Sequence, residues 1–242
     1  MNLAGRVALV TGGGRRIGRA LAVALGREKM RVAIHFRSSA EDASLTEAMV
    51  RDAGGTGFTL QSDLTNAAGP EALVAAVIAE MGGLDVVINS AAVMERTPVG
   101  EVTVDDWDAM FALNLRAPFF ISQAAAKVMG DEGVIVNIAD LAAFETWPAY
   151  IPHAISKAGV VKMTESLARA LAPGIRVNCI APGAILLPDD WDDDTARRFA
   201  STTPLERLGD PSDVVAAMLY LLRADYVTGE TIVVDGGRRI RK

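Results

Sequence analysis

Short apolar runs alternate along the chain with longer stretches in which apolar residues recur at helical spacing. An apolar run of four to eight residues between turn residues is typical of a buried strand, whereas a recurrence every three or four positions indicates a helix. The apolar runs predict seven strands, at Arg6–Gly12, Val32–Phe36, Gly57–Gln61, Leu84–Asn89, Val134–Ala139, Ile175–Ile180 and Thr231–Val234.

Helical stretches are predicted between these strands. The first follows a glycine-rich turn and has apolar residues at helical spacing from Ile17 to Leu25, and a looser stretch, Ala181–Pro204, precedes the last. The remaining helices are predicted at Glu41–Ala53, Pro70–Met81, Val104–Met129, Tyr150–Leu171 and Pro211–Leu222.

This alternation predicts the fold class. Strands that alternate with helices of this length favour a parallel sheet with helices on both of its faces. A chain of 242 residues is long enough for one such domain with a full core. We therefore expect an α/β protein, a single-domain Rossmann fold over residues 1–242 with a doubly wound parallel sheet of about seven strands.

Composition and charge narrow the class of partner. The net charge is -6, which argues against binding nucleic acid or an anionic membrane surface and favours a small-molecule substrate. Cys179 is the only cysteine, so an intramolecular disulfide and a cysteine-based metal cluster are excluded, and we expect no metal. Met1–Gly5 leads into the first strand without a charged and apolar leader, so we expect a cytoplasmic protein that does not enter a membrane.

A glycine-rich turn, Thr11–Gly18, connects the first strand to the first helix. Gly12 allows the backbone to turn tightly and Gly18 allows the helix to pack close to the strand. The free N–H groups and the dipole of the helix favour an anion at this point. The turn therefore predicts a dinucleotide pyrophosphate site, and the alternative is a turn with a structural role only.

The residues after the second strand bear on the choice of dinucleotide. An NAD site usually has an acidic residue here for the ribose hydroxyls, but Phe36–Ser39 contains none. Arg37 and the Ser38 hydroxyl, with Arg15 or Arg16 across the turn, suit a 2′-phosphate instead, because guanidinium groups bind phosphate oxygens in a charge-assisted way. We expect NADP(H); the alternative is that Arg37 is a solvated loop charge.

The candidate chemistry lies farther along the chain. Tyr150, His153 and Lys157 are spaced i, i+3 and i+7, so a helix would project them from one face. Asp140 directly follows the buried strand Val134–Ala139, and a polar residue at such a strand end faces a crevice rather than the core. These four titratable side chains form the predicted reaction centre.

These segments together resemble the short-chain dehydrogenase/reductase family over essentially the whole chain. The resemblance implies a proton relay in which Lys157 is the catalytic lysine and Asn114 holds a water, with a homotetramer as the assembly. Further matches are Asn89-Ser90-Ala91-Ala92 for the family's Asn-Asn-Ala-Gly segment and Asp235-Gly236-Gly237 for its C-terminal signature. The cofactor contacts that the resemblance implies are Gly12, Arg15, Arg16, Ile17, Gly18, Arg37, Ser38, Asp63, Leu64, Asn89, Ala91, Lys157, Pro182 and Gly183.

Within the family the chain resembles the pteridine reductase branch. Arg16 stands where most members have glycine and Asp140 where most have the catalytic serine. The resemblance implies that Arg16 contacts cofactor phosphate and substrate, that Asp140 helps to protonate the pterin, and that Tyr150 lines the pocket. The chain departs from this branch at Met94, which replaces a stacking aromatic residue but can still contact a flat ring.

A second departure is His153, which stands at the position of the catalytic tyrosine. Histidine can also deliver a proton, although a neighbouring lysine and an oxidised nicotinamide disfavour its charged form. Alternatively, His153 is an inert pocket residue in a protein that has lost the reaction. The acidic segment Asp189–Asp194 has two interpretations as well: helix caps, or a mobile substrate lid in which Trp191 closes the pocket.

The sequence thus predicts an NADPH-dependent oxidoreductase that transfers hydride to a C=N or C=O carbon of a small ring compound, with a dihydropterin or dihydrofolate as first candidate. Asp140 and His153 would handle the proton, Lys157 would bind the nicotinamide ribose, and Met94, Tyr150, Trp191 and Arg16 would contact substrate. The alternatives are a carbonyl or hydroxyl reductase with a non-pterin substrate and a non-catalytic NADP(H)-binding protein.

Overall fold

Seven parallel strands form a single sheet at the centre of the protein. The structure is a computed structural model that describes residues 1–186 and 192–240. The strand order is β3-β2-β1-β4-β5-β6-β7, and every neighbouring pair is parallel. The strands are β1 (Val7–Thr11), β2 (Arg31–Phe36), β3 (Thr56–Gln61), β4 (Val86–Asn89), β5 (Gly133–Ile138), β6 (Ile175–Pro182) and β7 (Thr231–Val234).

Helices cover both faces of this sheet. Because successive strand residues point to opposite faces, alternate residues of one strand belong to two separate cores. Val10 of β1 packs in the core on one face of the sheet, and Leu9 packs in the core on the other face. The α-helices are α1 (Arg16–Arg27), α2 (Ala40–Asp52), α3 (Gly69–Met81), α4 (Val104–Phe111), α5 (Ala117–Ala126), α6 (Ile151–Leu171), α7 (Asp193–Ala200) and α8 (Pro211–Arg223).

The two cores assign six of the described α-helices to a face. The first contains buried residues of α1, α2 and α8, and the second contains buried residues of α3, α5 and α6. Among the described helices, none combines the length and the apolar character that a bilayer crossing requires. The predicted fold, a single-domain Rossmann-like sheet of seven parallel strands, is confirmed.

The strand order also places the site. The chain runs outward from β1 to β3 and then returns to β4 on the other side of β1. At such a reversal the loops after the two central strands leave in opposite directions, which opens a crevice at the carboxyl ends of the strands. Gly12 follows β1 and Asn89 ends β4, so the glycine-rich turn lies directly at this crevice.

The prediction of one continuous helix over Val104–Met129 was wrong. The segment consists of α4, a π-helical turn at Ala112–Arg116, and α5, which ends at Ala126. Pro118 accounts for the interruption, because it lacks an N–H and its ring clashes with the carbonyl four residues earlier, which is that of Asn114. The wider turn leaves the Asn114 side chain directed toward the loop after β4.

Candidate active site

A cleft of about 440 Å³ opens at the carboxyl ends of the central strands. It brings together most of the predicted site residues, from the glycine-rich turn on one side to the predicted reaction centre on the other. Trp191 lies outside the described residues. The predicted residues that line the cleft are Gly12, Arg15, Arg16, Ile17, Gly18, Arg37, Ser38, Leu64, Ala91, Met94, Asp140, His153, Lys157, Pro182 and Gly183.

Two glycines of the turn are required by its geometry. Gly12 has a φ of +64°, which residues with a side chain rarely adopt. A Cβ there would lie 3.0 Å from the Ala91 Cα. A Cβ on Gly18 would lie 2.2 Å from the Gly12 carbonyl oxygen, far inside contact distance. The turn is therefore as tight as the sequence predicted, and its backbone forms one wall of the cleft.

The wall around this turn fits an anionic dinucleotide. Within the described part of the chain, no side chain caps the N-terminus of α1 and its first turn contains no acidic residue. Arg15, Arg16 and Arg37 are exposed along the same wall, with Ser38 beside them. Unsatisfied N–H groups, a helix dipole and guanidinium groups all favour phosphate.

Arg16 has an unusual backbone conformation. Its φ is +52°, in the left-handed region that favours glycine, and its guanidinium Nη2 donates to the Leu186 carbonyl at 2.9 Å. A non-glycine residue in this conformation costs about 1–2 kcal/mol. Arg16 therefore carries its guanidinium at the cleft at a cost in backbone energy, and its predicted contacts with phosphate and substrate stay predictions.

His35 is a site residue that the sequence reasoning did not identify as such. Its buried ring lies under the glycine-rich turn, where Nδ1 accepts a hydrogen bond from the Gly12 N–H at 3.2 Å. The other ring nitrogen, Nε2, lies 3.0 Å from the Ser62 carbonyl and must donate to it. Burial lowers the pKa of His35, which favours this neutral tautomer. The signal in the sequence was a histidine as the next-to-last residue of an otherwise apolar strand.

Asp63 and Asn89 do not line the cleft. The Asp63 carboxylate accepts from the N–H and the hydroxyl of Thr65, and the hydrogen bonds from Thr65 lower the pKa of Asp63. The buried Asn89 amide donates to Asn137 at 2.9 Å. The Asp63 side chain therefore supports the loop after β3, and the Asn89 side chain links β4 to β5. Their predicted contacts with cofactor stay predictions.

The predicted reaction centre contains a direct contact between Asp140 and His153. The His153 Nε2 atom lies 2.6 Å from the Asp140 Oδ2 atom. The second carboxylate oxygen, Oδ1, accepts from the Ala142 N–H at 2.8 Å, so both oxygens are fixed. The side chain of Asp140 is 23% exposed and that of His153 is 2% exposed. Both residues line the cleft, and the carboxylate is the more exposed of the two.

Lys157 completes this centre from the same helix as His153. Its Nζ atom is buried and donates to the Ile138 carbonyl at 2.9 Å. Burial lowers the pKa of Lys157, and the charge of Asp140 opposes this effect. Burial also opposes ionisation of Asp140, but the hydrogen bond with His153 and the charge of Lys157 outweigh it and hold the pKa of the Asp140 carboxyl below its usual value.

Asn114 lies behind the reaction centre rather than in the cleft. Its side-chain oxygen accepts from the Val93 N–H and its amide donates to the Val93 carbonyl, both at 2.9 Å. The same Val93 carbonyl lies 3.1 Å from the His153 Nδ1 atom. Asn114 thus holds the carbonyl that contacts His153, and its predicted water-binding role stays a prediction.

Tyr150 does not share a helical face with His153 and Lys157. It precedes α6, which begins at Ile151, and its ring packs edge-on against Trp147 at 6.2 Å. Its backbone pairs with that of Thr97, and Tyr150 is not among the residues that line the cleft. Met94 does line the cleft and is 55% exposed, so its side chain is available to contact a ligand there.

The chain is similar over most of its length to known proteins. The family model described as enoyl-(acyl carrier protein) reductase matches residues 13–239. The 3beta-hydroxysteroid dehydrogenase 1 of Eggerthella lenta is 35% identical, with 98% of this chain and 94% of that protein covered. The 3-oxoacyl-[acyl-carrier-protein] reductase of Synechocystis sp. is 33% identical, with 97% of each covered.

Solved structures extend this similarity to the fold. FolM alternative dihydrofolate reductase 1 from Brucella canis, complexed with NADP, superposes with a TM-score of 0.91 at 31% identity, covering 100% of this chain and 97% of that chain. A blue fluorescent protein from a metagenomic library, in complex with NADPH, also gives 0.91, at 33% identity and with 98% and 99% covered. The chain therefore belongs to the short-chain dehydrogenase/reductase family of NAD(P)-dependent oxidoreductases.

Proposed function

We propose that this protein is an NADPH-dependent reductase that adds hydride to a C=N or C=O carbon of a small ring compound, with a dihydropterin or dihydrofolate as the first candidate substrate. The observation that carries the proposal is the Asp140 carboxylate, which borders the same cleft as the glycine-rich turn and contacts His153 at 2.6 Å. A reduction of this kind needs a proton beside the atom that gains charge, and a positioned acid contributes roughly 10²–10⁴-fold to the rate.

The residues of the chain have distinct tasks in this proposal. A bound NADPH would supply the hydride. The turn from Gly12 to Gly18 would hold its pyrophosphate, and the buried Lys157 ammonium would hold the nicotinamide ribose beside Asp140. Asp140 and His153 would supply the proton to the substrate atom that accepts the electron pair, and Arg16 would contact phosphate and substrate.

The preference for NADPH over NADH rests on Arg37, which is exposed in the cleft near Ser38. A charge-assisted hydrogen bond to a phosphate is worth about 1.5–3 kcal/mol, which corresponds to roughly 10–150-fold in affinity. We expect Arg37→Ala to weaken NADPH binding by about this factor and to leave NADH binding nearly unchanged. Arg31→Ala, at the opposite end of the same strand, is the matched control.

Two observations favour a second candidate, reduction of a ketone that is not part of a pterin. Met94 offers no aromatic ring for stacking, and the two curated relatives described above are named as a hydroxysteroid dehydrogenase and a 3-oxoacyl reductase. Both candidates use the same cofactor wall and the same proton source. They differ only in the ring or chain that lies beside Met94.

The deciding experiment follows NADPH absorbance with purified protein, 7,8-dihydropterins, dihydrofolate and a panel of ketones. Turnover of a dihydropterin that Asp140→Asn abolishes supports the first candidate. Turnover of ketones alone rejects the pterin substrate and supports the second. If NADPH binds but none of the panel is reduced, the reductase proposal fails and a cofactor-binding protein without catalysis takes its place.

A further inference from the structure

We propose that Asp140 and His153 form one proton-carrying pair, in which Asp140 gives the proton to substrate and His153 holds and replaces it. This inference rests on the proposed reductase function for its role, but the pair itself can be tested without a substrate. The sequence presented the two residues as parallel candidates for the proton. Their contact at 2.6 Å and their unequal exposure place them in series.

The contact made by His153 Nδ1 determines where the first proton of the ring lies. Nδ1 lies 3.1 Å from the Val93 carbonyl oxygen, which can only accept, so Nδ1 must carry a hydrogen to make a favourable contact. The Asn114 amide is 3.5 Å from Nδ1 and could donate only weakly. Its two hydrogens have nearer acceptors, the Val93 carbonyl at 2.9 Å and the Ser156 hydroxyl at 3.2 Å.

The Nε2 side then requires a second proton. With Nδ1 protonated, a neutral imidazole would direct its Nε2 lone pair at an ionised Asp140 oxygen only 2.6 Å away, which is repulsive. A proton between the two atoms removes this repulsion, whether it belongs to an imidazolium beside a carboxylate or to a carboxylic acid beside an imidazole. The pair therefore carries one proton that can be given away.

Exposure decides which member gives this proton to substrate. Both ring nitrogens of His153 are engaged inside the protein, and only 2% of its side chain is exposed. Asp140 borders the cleft, and its Oδ1 atom is held by the Ala142 N–H so that the carboxylate keeps one orientation. Asp140 is thus the catalytic acid, and His153 is a positioning residue that acts through it.

The chemistry balances with a reduced nicotinamide as the reductant. A C–H bond forms from the hydride and its electron pair, the π bond of the substrate C=N or C=O breaks, and that pair moves onto nitrogen or oxygen. The same atom bonds the proton released by the Asp140 carboxyl. The substrate gains two hydrogens, the nicotinamide is oxidised, and the pair has lost one proton. The repulsion between Nε2 and the carboxylate then favours uptake of a proton from solvent.

The test reads the protonation of His153 directly by long-range ¹H–¹⁵N NMR of the full-length protein with NADP⁺. The chain contains two histidines, and His35 serves as an internal reference with the opposite neutral tautomer, protonated on Nε2. His35→Asn assigns the two sets of signals. In parallel, ¹³C labelling of aspartate reports the ionisation of Asp140, assigned with Asp140→Asn.

The proposal expects a proton on His153 Nδ1 and a second proton on either Nε2 or the Asp140 carboxyl. In Asp140→Asn the amide can donate to Nε2, so His153 should become the neutral tautomer with a bare Nε2. A wild-type His153 that is protonated on Nε2 and bare at Nδ1 overturns the proposal. A neutral Nδ1–H ring beside an ionised Asp140 overturns it as well, because no proton is then stored.

Once a substrate is found, kinetic measurements distinguish two arrangements. In a serial arrangement His153 acts through Asp140, and in a parallel arrangement each residue protonates the substrate directly. His153→Gln keeps a donor for Asp140 but cannot release a proton, whereas Asp140→Asn removes the acid itself. We expect Asp140→Asn to lower kcat about 10²–10⁴-fold and His153→Gln to lower it about tenfold less. Equal or greater loss in His153→Gln overturns the series arrangement. Absence of any turnover would count against the reductase function, while the NMR result decides the pair on its own.

Discussion

Replacement of His35 by phenylalanine tests whether the cofactor turn depends on a buried neutral imidazole. The variant keeps a ring of similar size at a site that is almost fully buried, so it removes hydrogen bonds without opening a large cavity. It leaves the Gly12 N–H and the Ser62 carbonyl without their partners. An unsatisfied buried group costs about 1–3 kcal/mol.

The size of the effect follows from the exposure of these two groups. Gly12 and Ser62 are only half-buried, so water can reach each of them in part. We therefore expect the lower half of the range for each, or about 2–4 kcal/mol in total off the free energy of unfolding. Urea denaturation at fixed protein concentration measures this loss. NADPH affinity should also fall, because the Gly12 backbone forms part of the cleft wall.

The pH dependence gives a sharper test. Burial lowers the pKa of His35, and the Ser62 carbonyl and the Asp63 charge oppose this effect. As the pH falls below about 6.5, the ordinary pKa of histidine, His35 binds a proton in the unfolded chain but stays neutral in the folded protein. The stabilisation by His35 is therefore fully present above that pH and declines below it, by at most about 1.4 kcal/mol per pH unit.

Comparison across pH separates titration from simple loss of contacts. The stability difference between wild type and His35→Phe should shrink as pH falls from about 8 to about 5. His35→Asn, whose side-chain oxygen can still accept from Gly12, should keep part of the stability and show the same loss of pH dependence. A difference between wild type and His35→Phe that stays constant or widens at low pH would refute the neutral tautomer.

Three further substitutions test other contacts. Gly18→Ala would place a Cβ 2.2 Å from the Gly12 carbonyl, so we expect it to cost about 1–3 kcal/mol or more in thermal unfolding and to abolish NADPH binding. Arg16→Gly should leave stability within about 1 kcal/mol, because its φ of +52° suits glycine, yet raise the Kd for NADPH or the KM for substrate. Arg176→Met should destabilise the protein by about 2 kcal/mol, because the Arg176 guanidinium binds the Leu221 and Leu222 carbonyls at the end of α8; circular dichroism in urea measures this.

Much of the fold could be predicted because its strands are continuous apolar runs bounded by turn residues. β5, for example, differs by one residue at each end from the predicted Val134–Ala139. The π-helical turn could not be predicted from periodicity, because the apolar spacing continues through it. Its causes are Pro118 and the attraction of the Asn114 side chain to the Val93 backbone, and the second of these is a tertiary contact.

Some features of the candidate site could likewise be predicted from the sequence, and others could not. The glycine-rich turn and Lys157 could be located from the sequence, because each needs a particular residue type at a fixed position relative to a strand or helix. The Val93 carbonyl left no signal, since any residue supplies a carbonyl. His35 was visible only as a polar residue in a strand, and Tyr150 was misplaced because the helix begins one residue later than its spacing suggested.

Asp140 and His153 are best understood as one unit. They are 13 residues apart in sequence, yet their side chains meet at 2.6 Å. Both ring nitrogens of His153 are engaged by the protein, and the Asp140 carboxylate is held by the Ala142 N–H and by His153. In the proposed pair, the imidazole supplies the proton that the carboxylate lacks, and the more exposed carboxylate gives that proton to substrate. The proposed pair is therefore a proton donor that requires no tyrosine.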